Sequence, residues 1–173
     1  MPQGAFPELA VHVLNLVPCC TVCNSKKSHL WRNGNNRLFL NFYIDDLPDD
    51  QFLFVDIFLD AAGEIDFRFR VENPNGIEAS LFTLISSHFE KLELRNRMRI
   101  AAGSAFIELM TSMAFSLEHS HLVDVVDTVI LTAERNRFFF GNNYWKSALE
   151  IALAQSPLFI AEVQNEFDAA QGI

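Results

Sequence analysis

Three cysteines, Cys19, Cys20 and Cys23, are crowded near the start of this 173-residue chain, and it contains no others. An odd number of neighbouring thiols is a poor disulfide framework, and in a cytosolic protein a Cys-x-x-Cys pair more often binds metal or does redox chemistry. The Cys20-x-x-Cys23 spacing lets both sulfur atoms reach one tetrahedral zinc ion about 2.3 Å away. The pair supplies two of four ligands, and His12 and His29 are the nearby candidates for the others. Two buried structural thiols are the alternative interpretation.

The composition supports a packed core. Hydrophobic residues make up 50% of the chain, and 17 residues are phenylalanine, which argues against gross disorder. The sequence has no apolar run of about 18 residues, so we expect no membrane contact. The N-terminal residues show neither a basic region nor an apolar signal core, so we expect a cytoplasmic protein.

Charge is unevenly distributed along the chain. The formal net charge of −9 argues against general binding of polyanions. Residues 9–44 nevertheless contain no acidic residue and include Lys26, Lys27, Arg32 and Arg37. The basic segment therefore coincides with the cysteine segment, which points to an anionic ligand there.

The hydrophobic pattern predicts an α+β fold with a partial metal-binding motif at the N-terminus, a β-hairpin, and then a helical C-terminal half. Alternating side chains from Ile65 to Val71, after the apolar run from Phe52 to Leu59, predict the hairpin. A short strand is predicted at Arg37 to Tyr43. Helices are predicted at 24–31, 81–92, 94–115, 122–135, 144–154 and 157–169. The aromatic and Gly-Asn-Asn residues at 138–143 are predicted to break the chain between the helix at 122–135 and the helix at 144–154.

This pattern divides the chain into a metal-type motif at 1–45, a hairpin extension at 46–76 and a helical region at 77–173, expected to form one compact unit.

Two polar features are interpreted as structural and not as ligand sites. The acidic loop that contains Asp45 and Asp46 lacks the ligand spacing of a calcium loop, so we interpret it as solvated. His88 lies on an apolar helix face, so we interpret it as a hydrogen-bonded core histidine.

The stretch Asn15-Leu-Val-Pro-Cys-Cys-Thr-Val-Cys-Asn-Ser-Lys-Lys27 resembles the second half of the HNH endonuclease motif, in the ββα-metal class of nucleases. In that family an Asn-Leu-x-Pro segment leads into a second pair of zinc ligands, which Asn or His and then basic residues follow. Spacing and residue types agree with the family at about eight of these thirteen positions. It extends more loosely over most of the chain to one bacterial branch of HNH proteins.

The resemblance implies a role for each matched residue. Cys20 and Cys23 would form half of a structural zinc site. Asn15 would hold the hairpin loop and orient the catalytic histidine, and Asn24 would offer its side-chain oxygen to a catalytic Mg²⁺ or Mn²⁺ ion. The basic side chains that would contact DNA phosphates are Lys26, Lys27 and Arg32.

The family's first Cys-x-x-Cys and its Asp-His pair have no counterpart here, since no cysteine precedes Cys19 and no aspartate precedes Glu8. We expect the start to lie inside a longer reading frame or to reflect trimming; a natural degenerate product is the alternative. The chain alone should then lack its water-activating base and two zinc ligands. His12 is a weak substitute, because it is not at the family position.

Three classes of function follow. The first is an HNH-type DNA endonuclease or the larger part of one. The second is a catalytically silent, nuclease-derived module that binds DNA or a partner protein, such as an ATPase of a defence system, through its acidic helical half. The third is a structural or regulatory protein whose cysteines are incidental.

Overall fold

The computed structural model describes residue 13, residues 19–28 and residues 30–172. These residues form two compact units that are discontinuous in sequence. Unit 1 comprises residues up to 50 together with 73–94, and unit 2 comprises residues 51–72 and 95 onwards. The described part of the chain is α+β, as predicted, with two small antiparallel hairpins and a helical C-terminal half.

The described residues of unit 1 form two helices and a minimal hairpin. Helix α1 is Thr21–Lys27, strands β1 (Arg32–Asn33) and β2 (Asn36–Arg37) pair antiparallel, and helix α2 is Ala79–Lys91. Gly34 adopts a φ of 57° in the turn between β1 and β2, where a side chain would be strained. Helix α2 buries one face, and its residues form most of the core of unit 1, which consists of Leu40, Ile77, Leu84, Ile85, His88, Phe89 and Leu92.

Unit 2 begins with the predicted hairpin. Strands β3 (Leu53–Leu59) and β4 (Ile65–Val71) pair antiparallel, with Ile57 opposite Phe67. Asp60 closes the turn, because its Oδ1 accepts hydrogen bonds from the backbone N–H groups of residues 62 and 64 at 2.8 and 2.9 Å. The predicted hairpin is thus confirmed, with β3 predicted from its apolar run and β4 from its period-two pattern.

Four helices complete unit 2: α3 (Leu94–Ser116), α4 (Leu122–Phe140), α5 (Trp145–Ala154) and α6 (Pro157–Gln171). Helix α5 packs against α4 and β3. Helix α5 also contacts α6, where Phe159 is fully buried with its ring centroid 5.2 Å from that of Phe106 on α3. Pro157 opens α6, a position where its missing N–H costs nothing.

Three local predictions are wrong. The first helix is Thr21–Lys27, capped by Cys20, rather than a helix that begins at Asn24 and includes Trp31. The predicted strand from Arg37 to Tyr43 is limited to Asn36–Arg37. Beyond it the chain turns, because the backbone N–H groups of residues 44 and 45 both donate to the carbonyl of Asn41.

The third error concerns the end of α4. The aromatic run Phe138–Phe140 was predicted to break this helix, yet the helix continues through it and ends at Gly141, with a φ of 89°. Aromatic residues have only slightly weaker helix propensity than their neighbours, whereas glycine readily leaves the helical conformation. No helix among the described residues is both long and apolar enough to cross a membrane.

Candidate functional site

The two predicted zinc ligands lie at the first turn of α1. Cys20 is the N-cap residue, and its Sγ accepts a hydrogen bond from the backbone N–H of Cys23 at 3.4 Å. Cys20 is exposed and Cys23 is half-buried. Starting the helix at Cys20 therefore places both thiols at one end of α1, within a single turn.

This arrangement suits metal binding chemically. An N–H group that donates to sulfur stabilises the thiolate, which is the form that binds zinc. The two thiols fit half of a tetrahedral site. Within residues 19–28 and 30–172, however, no three His, Cys, Asp or Glu side chains gather where they could hold one ion. His12, His29 and Asn15, which were predicted to complete or support the site, lie outside the described residues.

The predicted ligand of the catalytic ion, Asn24, follows Cys23 on α1 and is exposed. Its backbone is fully used by the helix, since its N–H donates to the carbonyl of Cys20 and its carbonyl accepts from Ser28, both at 2.9 Å. The chain leaves the helix at Ser28, whose φ of 41° is unusual for a residue other than glycine. The helix thus holds Asn24 in a fixed position next to the thiol pair.

The three predicted phosphate-contacting side chains differ in their surroundings. Lys26 Nζ forms an ion pair with Glu93 at 2.6 Å. Lys27 Nζ lies 5.6 Å from the centroid of the Phe39 ring. The guanidinium of Arg32 stacks on the indole ring of Trp31 at 3.8 Å. A ligand phosphate would therefore have to compete with Glu93 for Lys26, whereas the guanidinium of Arg32 contacts an uncharged ring.

His88 is the polar centre of unit 1. Its side chain is only 5% exposed, and its Nδ1 accepts a hydrogen bond from the backbone N–H of Leu40 at 3.1 Å. Burial, reinforced by the positive charge of Lys27, lowers the pKa of His88 to about 4. The imidazole is therefore neutral at pH 7, with its proton on Nε2 because Nδ1 is an acceptor. The prediction of a hydrogen-bonded core histidine is confirmed.

Two aromatic side chains from the loop that follows β2 enclose this histidine. The ring centroids of Phe39 and Phe42 lie 6.1 and 5.8 Å from that of His88, both edge-on. Since Phe39 also contacts Lys27, a continuous set of contacts runs from α1 through the loop to α2. His88 thus supports the helix that carries the thiols, although it is not itself a candidate ligand.

Asp45 is the residue that sequence reasoning misjudged. It was interpreted as a solvated loop residue, yet its side chain is only 9% exposed. Its Oδ2 accepts from Arg37 Nη1 at 3.2 Å and from the backbone N–H of Asn41 at 2.7 Å. Burial alone would raise the pKa of Asp45, but these hydrogen bonds and the charge of Arg37 lower it below its usual value. An arginine eight residues upstream was the available signal.

No protein-family model matches the chain. The chain is 26% identical over 177 residues to protein ea31 of Escherichia phage lambda, an alignment that covers 92% of this chain. It spans only 57% of that phage protein's length. No solved structure matches the chain.

Proposed function

We propose that the chain carries the zinc-binding second half of an HNH-type motif and belongs to a metal-dependent endonuclease that hydrolyses DNA phosphodiester bonds. One observation carries the proposal. The thiols of Cys20 and Cys23 share the first turn of α1, linked by the N–H to sulfur hydrogen bond, and Asn24, Lys26 and Lys27 follow on the same helix.

In this proposal each side chain has a separate task. Cys20 and Cys23 supply two ligands to a structural zinc ion, which would fix the start of α1. Asn24 binds the catalytic divalent cation, which stabilises negative charge on the scissile phosphate and the leaving oxygen. Lys27 and Arg32 position the phosphate backbone, and Lys26 does so when it is released from Glu93.

The water-activating base has no counterpart in the matched positions from Asn15 to Lys27. His88 does not fill this role, because it is buried and its Nδ1 already accepts the Leu40 N–H. We therefore expect no cleavage at the rates of the family from this chain alone.

A second candidate function is a catalytically silent module that binds DNA or a partner protein. The specific observation in its favour is the aromatic run at the end of α4, where Phe138, Phe139 and Phe140 are 85%, 65% and 66% exposed. Such a contiguous apolar surface is typical of a protein interaction site. Both candidate functions use helix α1 and its two thiols. They differ in whether the protein hydrolyses DNA.

Zinc binding is the first test, since Cys19 provides a matched control for the other two thiols. Because the pair supplies only two of four ligands, the chain alone should bind zinc weakly, measured by competition with a chromophoric zinc chelator. Cys20→Ser and Cys23→Ser should each reduce this binding to background, whereas Cys19→Ser should retain it. A wild-type affinity no greater than that of Cys20→Ser, or equal loss in all three variants, would contradict the proposal.

A cleavage assay then separates the two candidates. Plasmid DNA incubated with the zinc-loaded protein and Mg²⁺ should remain intact. Rapid Mg²⁺-dependent cleavage that Asn24→Ala abolishes, but that the exposed control Asn35→Ala preserves, would show a complete active site and refute the silent module. An intact substrate is the outcome that both candidates predict for this chain, because the matched positions lack a water-activating base, so only cleavage discriminates between them.

A further inference from the structure

Helix α4 presents an exposed face that its own unit does not cover. The face consists of Asp124, Asp127, Leu131, Arg135 and Phe138, which recur at three- or four-residue intervals along the helix and form what we call the α4 stripe. All five residues are exposed, and Leu131 and Phe138 are 65% and 85% exposed. The buried side chains of α4, Val125 and Ala133, lie on the opposite face.

Charge along the α4 stripe changes sign from one end of the helix to the other. Asp124 and Asp127 lie near its N-terminus, Leu131 is central, and Arg135 lies near the C-terminus. The intervals from Asp127 to Leu131 and from Leu131 to Arg135 are equal, at four residues each. A second α4 that runs antiparallel across Leu131 would therefore place each Asp127 opposite an Arg135, so that the charges of the surface complement those of its own copy.

The exposed aromatic residues enlarge this surface. Phe139, 65% exposed, flanks the stripe at one end, and Val123, 69% exposed, flanks it at the other. At about 150–250 Å² for a fully buried aromatic side chain, Phe138 and Phe139 together expose roughly 200–400 Å². Standard interfaces bury about 800 Å² per partner, so the stripe and its flanks suit a modest dimer interface.

We propose that the α4 stripe binds the α4 stripe of a second copy of this chain, in an antiparallel two-fold pair centred on Leu131. Leu131, Phe138 and the flanking Phe139 supply the apolar contact, with Phe138 opposite Asp124 of the second copy. Two symmetry-related pairs of Asp127 and Arg135 fix the orientation. A parallel arrangement would place like charges together at each end, which selects the antiparallel one. The inference concerns unit 2 and is independent of the nuclease proposal.

Sedimentation velocity on the full chain tests this interface. The wild type should change from monomer to dimer over a range of about 1 to 100 µM, which corresponds to a micromolar dissociation constant. Asp127→Arg and Arg135→Asp each place like charges in both symmetric pairs. We expect each single variant to raise the dissociation constant at least about tenfold, and the double variant to restore dimerisation.

Two controls keep the result interpretable. Glu166→Arg changes the charge by the same amount on the exposed face of α6 and should leave the dimer unchanged. Phe138→Ser should weaken the dimer while circular dichroism stays the same, because the side chain is exposed. A monomer at every concentration would overturn the proposal and leave the face to a different protein. A dimer insensitive to the charge changes, or not restored in the double variant, would overturn it too.

Discussion

The two units each use one distant side chain to satisfy the backbone of a buried segment, but the chemistry of that side chain differs. In unit 1, the Nδ1 of His88 accepts from the N–H of Leu40, 48 residues away. In unit 2, the Oδ1 of Asn143 accepts from the N–H groups of Phe52 and Leu53 at 2.7 and 2.9 Å, about 90 residues away. Histidine titrates and asparagine does not, so only unit 1 should lose this contact on acidification.

Each of the two units contains one tryptophan, which serves as a fluorescence probe of that unit. The chain contains two tryptophans, and Trp31 belongs to unit 1 whereas Trp145 belongs to unit 2. Variants that retain a single tryptophan, Trp145→Phe or Trp31→Phe, would report the unfolding of one unit by fluorescence. Urea titrations of the two variants then give the stability of each unit.

The largest effect is expected from pH in unit 1. The pKa of His88 is about 4 in the folded protein, against about 6.5 when unfolded. The unfolded chain therefore binds a proton that the folded chain does not, and the free energy of unfolding should fall as pH decreases from 6.5 to 4. The loss should reach about 3 kcal/mol by pH 4. Trp31 fluorescence should report it, while the Trp145 signal changes less.

His88→Asn is the matched variant for this prediction. Its Oδ1 can replace Nδ1 as the acceptor for Leu40 but does not titrate near neutral pH. The variant should be less stable at pH 7, because a smaller side chain leaves a cavity between Phe39 and Phe42. Its stability should nevertheless vary less between pH 6.5 and 4. An unchanged pH slope would show that another group causes the acid sensitivity.

The second prediction concerns the corresponding contact of unit 2. Asn143→Ala removes the acceptor of two backbone N–H groups next to the buried residues of β3, and we expect a loss of about 1–3 kcal/mol. Asn143→Asp retains an acceptor oxygen and should lose less. Both values come from urea unfolding followed by Trp145, and neither should depend on pH between 6.5 and 5. Equal losses of unfolding free energy in the two variants would mean that the side-chain oxygen of Asn143 does not contribute to stability as a hydrogen-bond acceptor.

Sequence reasoning predicted elements that a local pattern specifies and missed those that distant partners specify. The alternation from Ile65 to Val71 fixed β4, because each side chain position is determined by period two. The strand expected up to Tyr43 did not form, since the backbone N–H of Leu40 binds His88 instead of a neighbouring strand. The sequence around Asn143 predicted only a turn. Its hydrogen bonds to the backbone of β3 and the preceding residue were not predictable, because those partners lie about 90 residues away in sequence. Linear segments likewise could not reveal that α2 joins unit 1.

The candidate site shows the same limit. The Cys-x-x-Cys spacing identified the thiol pair directly, because both thiols lie on one short helix. The partners of the basic residues were not predictable, since Glu93 and Phe39 reach Lys26 and Lys27 from other segments of unit 1. Local motifs therefore indicate which groups are present, whereas tertiary contacts decide which of them remain available to a ligand.

The smallest effect is expected from the second acid-sensitive contact of unit 1. The lowered pKa of Asp45 means that its contribution is present above the unfolded value near 3.9 and is lost as pH falls further. Asp45→Asn should cost about 1 kcal/mol at pH 7, because it removes the charge opposite the partly exposed Arg37. The neighbouring Asp46→Asn is the matched control and should change stability by less than about 0.5 kcal/mol.

The two acid-sensitive groups titrate in different windows, which makes their contributions separable. His88 acts between pH 6.5 and 4, whereas Asp45 acts below that range. Urea titrations of Asp45→Asn followed by Trp31 should therefore keep the wild-type slope above pH 4 and show a shallower slope below it. A change of slope above pH 4 would mean that the two contacts are coupled through the loop between Leu40 and Asp45, because one carboxylate would then influence the backbone that binds the imidazole.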